Sequence, residues 1–427
     1  MLTSRRLGFT KRLRVFLIVL CHVVYLVSGI STNVNAQESY QELEEALVDK
    51  GFENLSITSQ GDTLQIFYEN RRYRFEPHGM AELIEIVTNH KSTSWNKIQL
   101  VLLSEQVPML MMTLPLGAYE DFLDSIIDGS QFYQAIHATF DVSSLSGHNF
   151  PKQNNSQFKV DLAVIPNWSA KFGNFDNPVE SNINLIPELN MLLTKGLTLK
   201  AQLIIPIQND FLGITKRERS RVRPGNITLN QFVSLDDNFY MNITAGTFNK
   251  NRAGVNLDVK KLFSEGRFQI GTNIGFTGYY SFTGIETEHY DKQRYLNATL
   301  NAQYRYNPYD LIARLDVGNF LYNVLTARFE IARQFGEIEI GFFALATRDE
   351  YDGGFRFSIP LPPRKYTKLR FFRVRPSEAF QWEYRAKGFP QNGVNYNTGY
   401  NLTDKLLEYN PDFLKKRLLI ELHKLKK

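Results

Sequence analysis

Residues able to do chemistry are few and scattered in this chain. Of its seven histidines, His22 lies in an N-terminal apolar stretch. The other six, His78, His90, His137, His148, His289 and His423, have no partner at metal-ligand spacing. The single cysteine, Cys21, sits in the same apolar stretch, so the rest of the chain has no thiol for a disulfide, a nucleophile or a thiolate metal site. Met109, Met111 and Met112 fall in an apolar run, a pattern that fills a core more readily than it holds a soft metal. There is no Gly-x-Ser-x-Gly elbow, phosphate-binding glycine loop or His-Glu-x-x-His. No metal, cofactor or catalytic residue is therefore expected. What recurs is polarity at two-residue spacing: Asn301, Gln303 and Arg305, then Arg314 and Asp316, Arg328 and Glu330, Glu337 and Glu339. A carboxylate pair such as Glu337/Glu339 is what a glycosidase requires. Opposite charges on the neighbouring segments fit a mutually neutralising, hydrated wall better. A second cluster gathers Lys216, Arg217, Arg219, Arg221 and Arg223 against Asp210 and Glu218, a candidate loop for binding a polyanion.

Side chains two residues apart share a face only on a strand. In Asn297–Tyr306 the apolar positions Ala298, Leu300, Ala302, Tyr304 and Tyr306 alternate with polar ones, and the same holds around Leu315, Phe329 and Phe342. Short turns between these segments make an antiparallel meander. Further runs of this kind fall near 157–172, 180–193, 197–208, 225–234, 238–248, 252–262, 267–283, 293–306, 310–320, 324–335, 337–347 and 353–361. They amount to about twelve strands, with a range of ~10–14. If the first strand leaves the side of the N-terminal region, the turns returning there are tight. Longer connections such as 209–224 and 284–292 lie opposite, which is the asymmetry of an outer-membrane β-barrel.

Around this region the chain divides further. Residues 1–36 read as a secretory signal: Arg5, Arg6, Lys11, Arg12 and Arg14 precede the apolar run Val15–Val27, and Val34-Asn-Ala36 precedes Gln37. The chain has 427 residues and a formal charge of +5. Removal of those five basic residues leaves 44 basic against 44 acidic, which takes away the main support for nucleic-acid binding. Residues 37–130 read as a small α/β periplasmic domain, with two strand pairs and a helix carrying Met80, Leu83, Ile84 and Val87 on one face. Residues 131–156 read as a connector, 157–361 as the β-barrel, and 362–427 as a basic extension. That extension interleaves Lys365, Lys368, Arg370, Arg373 and Arg375 with Tyr366, Phe371 and Phe372, and suits a segment lying against anionic headgroups. Within it Ala379–Ala386 reads as one more possible strand, and Asn410-Pro411 opens a terminal helix bearing Leu414, Leu418 and Leu422.

Leu47-Val-Asp-Lys-Gly-Phe52, Leu64–Phe75 and Gly353-Gly-Phe-Arg-Phe-Ser-Ile-Pro360 resemble segments of the YjbH/GfcD family of exopolysaccharide-associated outer-membrane proteins. The resemblance implies a β-barrel in the outer membrane of a Gram-negative bacterium, associated with polysaccharide production and export. It carries over no catalytic residue. The expected fold is mainly β, an antiparallel barrel after a small α/β domain. The expected function is non-enzymatic assistance to exopolysaccharide secretion or surface assembly. Outer-membrane lipid, anionic polysaccharide and other export-machinery proteins are the expected partners, with no nucleic acid. The alternatives are an envelope enzyme acting on polysaccharide or lipid, and a structural or carbohydrate-binding protein.

Overall fold

Alternation decides the architecture here, because it leaves each strand one face to bury and one to expose. The computed structural model describes residues 40–90, 95–145, 152–172, 178–210, 221–235, 238–283, 286–367, 371–386 and 393–425, with backbone alone at 283, 286–293 and 425. The expected signal segment lies outside these residues.

The N-terminal domain is built on a sheet in the order β1-β2-β3-β4-β5, formed by Phe52–Gln60, Thr63–Asn70, Lys97–Ser104, Val107–Pro115 and His137–Thr139. The β1–β2 hairpin turns at Gly61. β2 and β3 pair in parallel because helix α2 (Glu76–Asn89) carries the chain back between them. Helix α1 (Gln41–Lys50) ends at Gly51, whose φ of 99° suits glycine; a Cβ there would also meet Arg72 Cδ at 2.7 Å. Helices α3 (Leu116–Leu123) and α4 (Gly129–Ala135) follow β4, and α4 starts on a capping box made by Asp128 and Gln131. Met80, Leu83, Ile84 and Val87 of α2 are buried against the sheet. Met109 and Met112 are fully buried in the same core. The span 131–156 is more ordered than a connector: it supplies α4 and β5, and Gln153 bridges back to Leu55.

Fourteen strands form the second sheet. Twelve follow one another as β6 (Val160–Phe172), β7 (Val179–Thr194), β8 (Leu197–Asn209), β9 (Arg223–Leu235), β10 (Phe239–Phe248), β11 (Arg252–Phe263), β12 (Phe268–Thr283), β13 (Glu286–Tyr306), β14 (Leu311–Asn319), β15 (Leu325–Phe335), β16 (Ile338–Thr347) and β17 (Tyr351–Pro360). Each pairs antiparallel with the next. Two more strands come from the region read as an extension. β18 (Phe372–Pro376) pairs in parallel with β6, and β19 (Ala379–Arg385) pairs antiparallel with β17. The sheet therefore reaches beyond the expected boundary at 361. The segment read as a possible strand at Ala379–Ala386 is β19, whereas Pro376 with Arg373 and Arg375 hid β18, since proline and charge mark an edge rather than a strand.

β18 and β19 show how the sheet curls. Pro376 pairs with Val164 at one edge, and Ala379 with Pro360 at the other. Three residues reach only about 10 Å, so the two edges of the sheet face each other. The ladder itself does not close. Beyond Val164, β6 and β19 meet through rings instead: Trp168 stacks on Trp382 at 5.2 Å, and Phe172 packs against Trp382 and Tyr384. The fold is thus mainly β, a curled fourteen-stranded sheet with an aromatic seam in place of a sealed ring.

The two faces of this sheet are inverted relative to a soluble protein. Asn182, Asn184, Thr228, Asn230, Asn242, Thr244, Asn256, Gln269, Thr299 and Gln303 are buried on the concave side. On the convex side Leu300 is 68% exposed, Phe342 67% and Phe276 56%, in a belt with Ile243, Ile274, Leu315, Phe329 and Ile340. No described helix is long and apolar enough to cross a membrane.

The tail fills the concavity. Residues 393–401 enter at the end of the sheet remote from the N-terminal domain, where Leu321 N donates to Val394 O at 3.2 Å. Helix α5 (Leu402–Glu408) and helix α6 (Pro411–Leu425) then carry the chain back to the N-terminal domain. Asn410 caps α6 by accepting from Phe413 N at 3.1 Å. Leu414, Leu418 and Leu422 are buried in one core with α2, β5 and the sheet residues Phe232, Tyr240 and Leu262. The terminal helix is therefore an interior element of the fold.

Candidate functional site

Cross-strand register brings the alternating charges together. Arg314 lies opposite Glu330, and Asp316 opposite Arg328, while Gln303 and Asn301 face Arg314 and Asp316 from β13. Glu330 is the centre: Arg314 Nη1 donates to its Oε1 at 2.6 Å, Arg356 Nε at 2.7 Å, and Arg328 Nη2 to its Oε2 at 3.1 Å. Glu339 accepts from Arg314 at 3.1 Å and also from Arg356. Glu383 accepts from Arg328 and from Arg385, each at 2.9 Å. Gln303 accepts from Arg314 at 3.1 Å, and Asn301 from Lys260 at 2.5 Å. Carboxylates held by two or three guanidiniums are stabilised as anions by charge-assisted hydrogen bonds. They cross-link β14, β15, β16, β17 and β19 into one wall.

Two of the sequence candidates lie elsewhere. Glu337 precedes β16 in the turn that faces the N-terminal domain, and there it accepts from Arg74 Nε at 2.7 Å. It joins the domains at the rim and does not line the wall, because the turn at Phe335-Gly336 takes it out of the strand's alternation. Arg305 is wholly buried; it donates to Asp310 and Gln334 at 2.9 Å each and sits 5.1 Å over the ring of Phe413 in α6. It ties the sheet to the tail. Lys216, Arg217 and Arg219 fall outside the described residues. Arg221 and Arg223 lead into β9, with Arg223 Nη1 donating to Arg221 O at 3.2 Å.

Arg356, Glu383 and Arg385 were not singled out from sequence. Their signal was present: each alternates with aromatic residues, in Phe355-Arg-Phe357 and in Trp382-Glu-Tyr-Arg385. The tail residues gave no such signal. Tyr396 stacks on Phe248 at 5.2 Å and donates its hydroxyl to Asn256 Oδ1 at 2.8 Å. Gly275 makes room for it, since a Cβ there would lie 1.5 Å from the Tyr396 hydroxyl. Lys200 Nζ donates to Gly399 O at 2.8 Å. Lys405 Nζ reaches Glu105 of the N-terminal domain at 2.9 Å and the Tyr400 hydroxyl at 2.8 Å, 4.1 Å over the Phe232 ring.

Above the tail the concave side opens into a cavity of about 1440 Å³ lined by β6–β10, β12, β15, β19, the 249–251 and 320–322 turns and residues 393–399. It lies at the end of the sheet remote from the N-terminal domain. Its floor is the tail, so it is blind. Near the other end, in the N-terminal domain, burial pushes the Glu76 carboxyl up to about 7. Hydrogen bonds from the Tyr68 hydroxyl at 2.7 Å and Asn70 Nδ2 at 2.9 Å oppose that rise. Among the described residues no group of three His, Cys, Asp or Glu side chains converges to hold a metal ion.

A curled sheet, polar and charged within, apolar without and filled by its own C-terminal tail, defines the class of protein. Within that class the chain belongs to the YjbH family: the model described as "Exopolysaccharide biosynthesis protein YbjH" matches residues 27–366, most of its length. Among solved structures, a loop L8 deletion mutant of OmpT, an outer membrane protein of Vibrio cholerae, is similar at 11% identity over 47% of this chain and 86% of that one. Its TM-score of 0.26 is too low to bear on the fold. No curated protein matches.

Proposed function

We propose that this protein is a non-enzymatic β-barrel-type protein of the Gram-negative outer membrane that assists secretion or surface assembly of an exopolysaccharide. The observation that carries the reading is the inverted sheet. An apolar belt of Leu300, Phe342 and Phe276 side chains that water would penalise is cheap against lipid, and the amides and hydroxyls opposite are buried within the curl. The family supplies the exopolysaccharide role. The arginine-bound carboxylates Glu330 and Glu339 suit a cross-linked wall rather than proton transfer. With the tail seated, the protein acts as a docking or guiding element instead of a permanently open pore.

The test is a clean deletion in the native host together with membrane fractionation. The protein is expected in the outer-membrane fraction, and its loss is expected to lower cell-associated or released polysaccharide while polymer synthesis continues. A soluble protein after osmotic shock, or unchanged polysaccharide under conditions of proven expression, overturns the proposal.

A further inference from the structure

The blind cavity has a composition that the charged wall does not explain. Amide side chains converge on it from successive strands: Asn167 from β6, Asn184 from β7, Gln202 from β8 and Asn226 from β9. Planar amides offer a donor and an acceptor on one edge, which is what the paired hydroxyls of a sugar ring need. Tyr279 and Tyr322 add aromatic faces. Among the described lining residues the basic side chains Lys171, Arg223, Lys250, Arg328 and Arg385 outnumber the acidic Glu383, with Arg328 also held by Glu330 below.

Two atoms in this lining are buried and unpartnered. Asn184 Oδ1 accepts nothing, although its Nδ2 donates to Asn182 at 2.7 Å and to Asn167 at 3.3 Å. Arg385 Nη1 donates to nothing, although its Nε is held by Glu383. A buried acceptor and a buried guanidinium donor left open are costly in a folded protein unless a ligand or water meets them. At about 1440 Å³ the space exceeds the ~300–1,000 Å³ of small-molecule pockets and suits a segment of several sugars.

We propose that this cavity is a binding site for an acidic oligosaccharide segment. Arg223 and Arg385 meet its negative groups, and Asn184 accepts from a sugar hydroxyl. The inference rests on the exopolysaccharide reading above and deepens it, because it gives the sheet's remote end a ligand class. Carboxylate on a uronic acid and phosphate on a lipopolysaccharide core would both satisfy the guanidiniums, so the test separates them.

The full-length protein, folded in detergent, is titrated calorimetrically with tetragalacturonic acid, with maltotetraose and with a phosphorylated, lipid-free core oligosaccharide. Tetragalacturonic acid is expected to bind, more weakly as salt rises, and maltotetraose at least tenfold more weakly. Arg223→Gln is expected to weaken binding about five- to tenfold. Ser169→Trp, which sets a bulky ring into the cavity from β6, is expected to weaken it further, and heat-modifiability on a gel verifies that each variant is folded. Preference for the phosphorylated core over tetragalacturonic acid would support the site with phosphate as the recognised group. Absence of binding by folded protein, or binding indifferent to both variants, would overturn the site. If a deletion strain lacks polysaccharide but the folded protein binds neither acidic probe, the functional reading stands and this inference falls. If binding is present and the deletion has no phenotype, the reverse holds.

Discussion

Replacing Leu315 with Arg tests the inverted sheet most directly. Leu315 is the fifth of nine residues in β14 and is 42% exposed on the convex face. At about 3.4 Å per residue the strand runs roughly 27 Å, and a tilt near 40° leaves about 20 Å of height, with Leu315 at its middle. Its register neighbours are Ala302 and Phe329, and Phe329 is itself 46% exposed, so neither paired position offers a polar partner. If lipid covers this belt, an arginine at mid-height costs about 2–4 kcal/mol, a factor of roughly 30 to 1,000 in the folded population. The control is Ser169→Arg, whose side chain enters the cavity where there is room and water. The assay is urea-dependent folding into lipid vesicles, read as the heat-modifiable band. Leu315→Arg should lose the stated amount and Ser169→Arg less than about 1 kcal/mol. Equal losses, or a larger loss for Ser169→Arg, would refute the assignment of faces.

Two further outcomes are expected. Leu418→Ala removes a fully buried side chain from the core shared by α6 and the N-terminal domain, and should cost about 2–5 kcal/mol in chemical denaturation; a loss under about 0.5 kcal/mol would mean that α6 is not docked in solution. Glu76, raised from 4.5 to about 7 by burial, gives the native state more bound protons than the unfolded chain between those values. Its contribution to stability therefore falls as pH rises through that window and levels off above it. Glu76→Gln lacks this loss, so its stability relative to the parent should improve between pH 5 and pH 8, by at most about 3 kcal/mol, and a constant difference would contradict the burial.

Strands were legible in the sequence where one face had to be apolar. The expected segment 252–262 and the observed Arg252–Phe263 differ by one residue at the end, because Val255, Leu257 and Val259 leave no other phase. Helix α6 was legible for a similar reason, with Asn410-Pro411 marking its start. Its destination was not legible. Leucines on one face of a helix say that it is covered, and nothing local says that the cover is α2, more than three hundred residues earlier in the chain. The wall shows the same division. Alternation placed Arg314 and Glu330 on one face, but their convergence with Arg356 and Glu383 depends on strand order and on the curl that brings β19 beside β17. Glu337 was misplaced because the alternation gives no sign of where a turn begins.

The shared core has a consequence for biogenesis. Residues 40–145 are made well before the tail, yet their hydrophobic cluster includes Leu402, Leu414, Leu418 and Leu422, which follow more than two hundred and fifty residues later. Lys405 and Glu105 close a loop of 300 residues. An N-terminal domain that forms first therefore keeps an uncovered apolar surface until the tail has followed. Contacts of such long sequence separation are slow to form. In that interval the exposed surface is a natural handle for a chaperone, and seating of helix α6 covers it. Docking of the tail thus serves as a completion signal: a chain that stops short of residue 402 keeps its N-terminal domain open to holdases and proteases, however well its strands have paired.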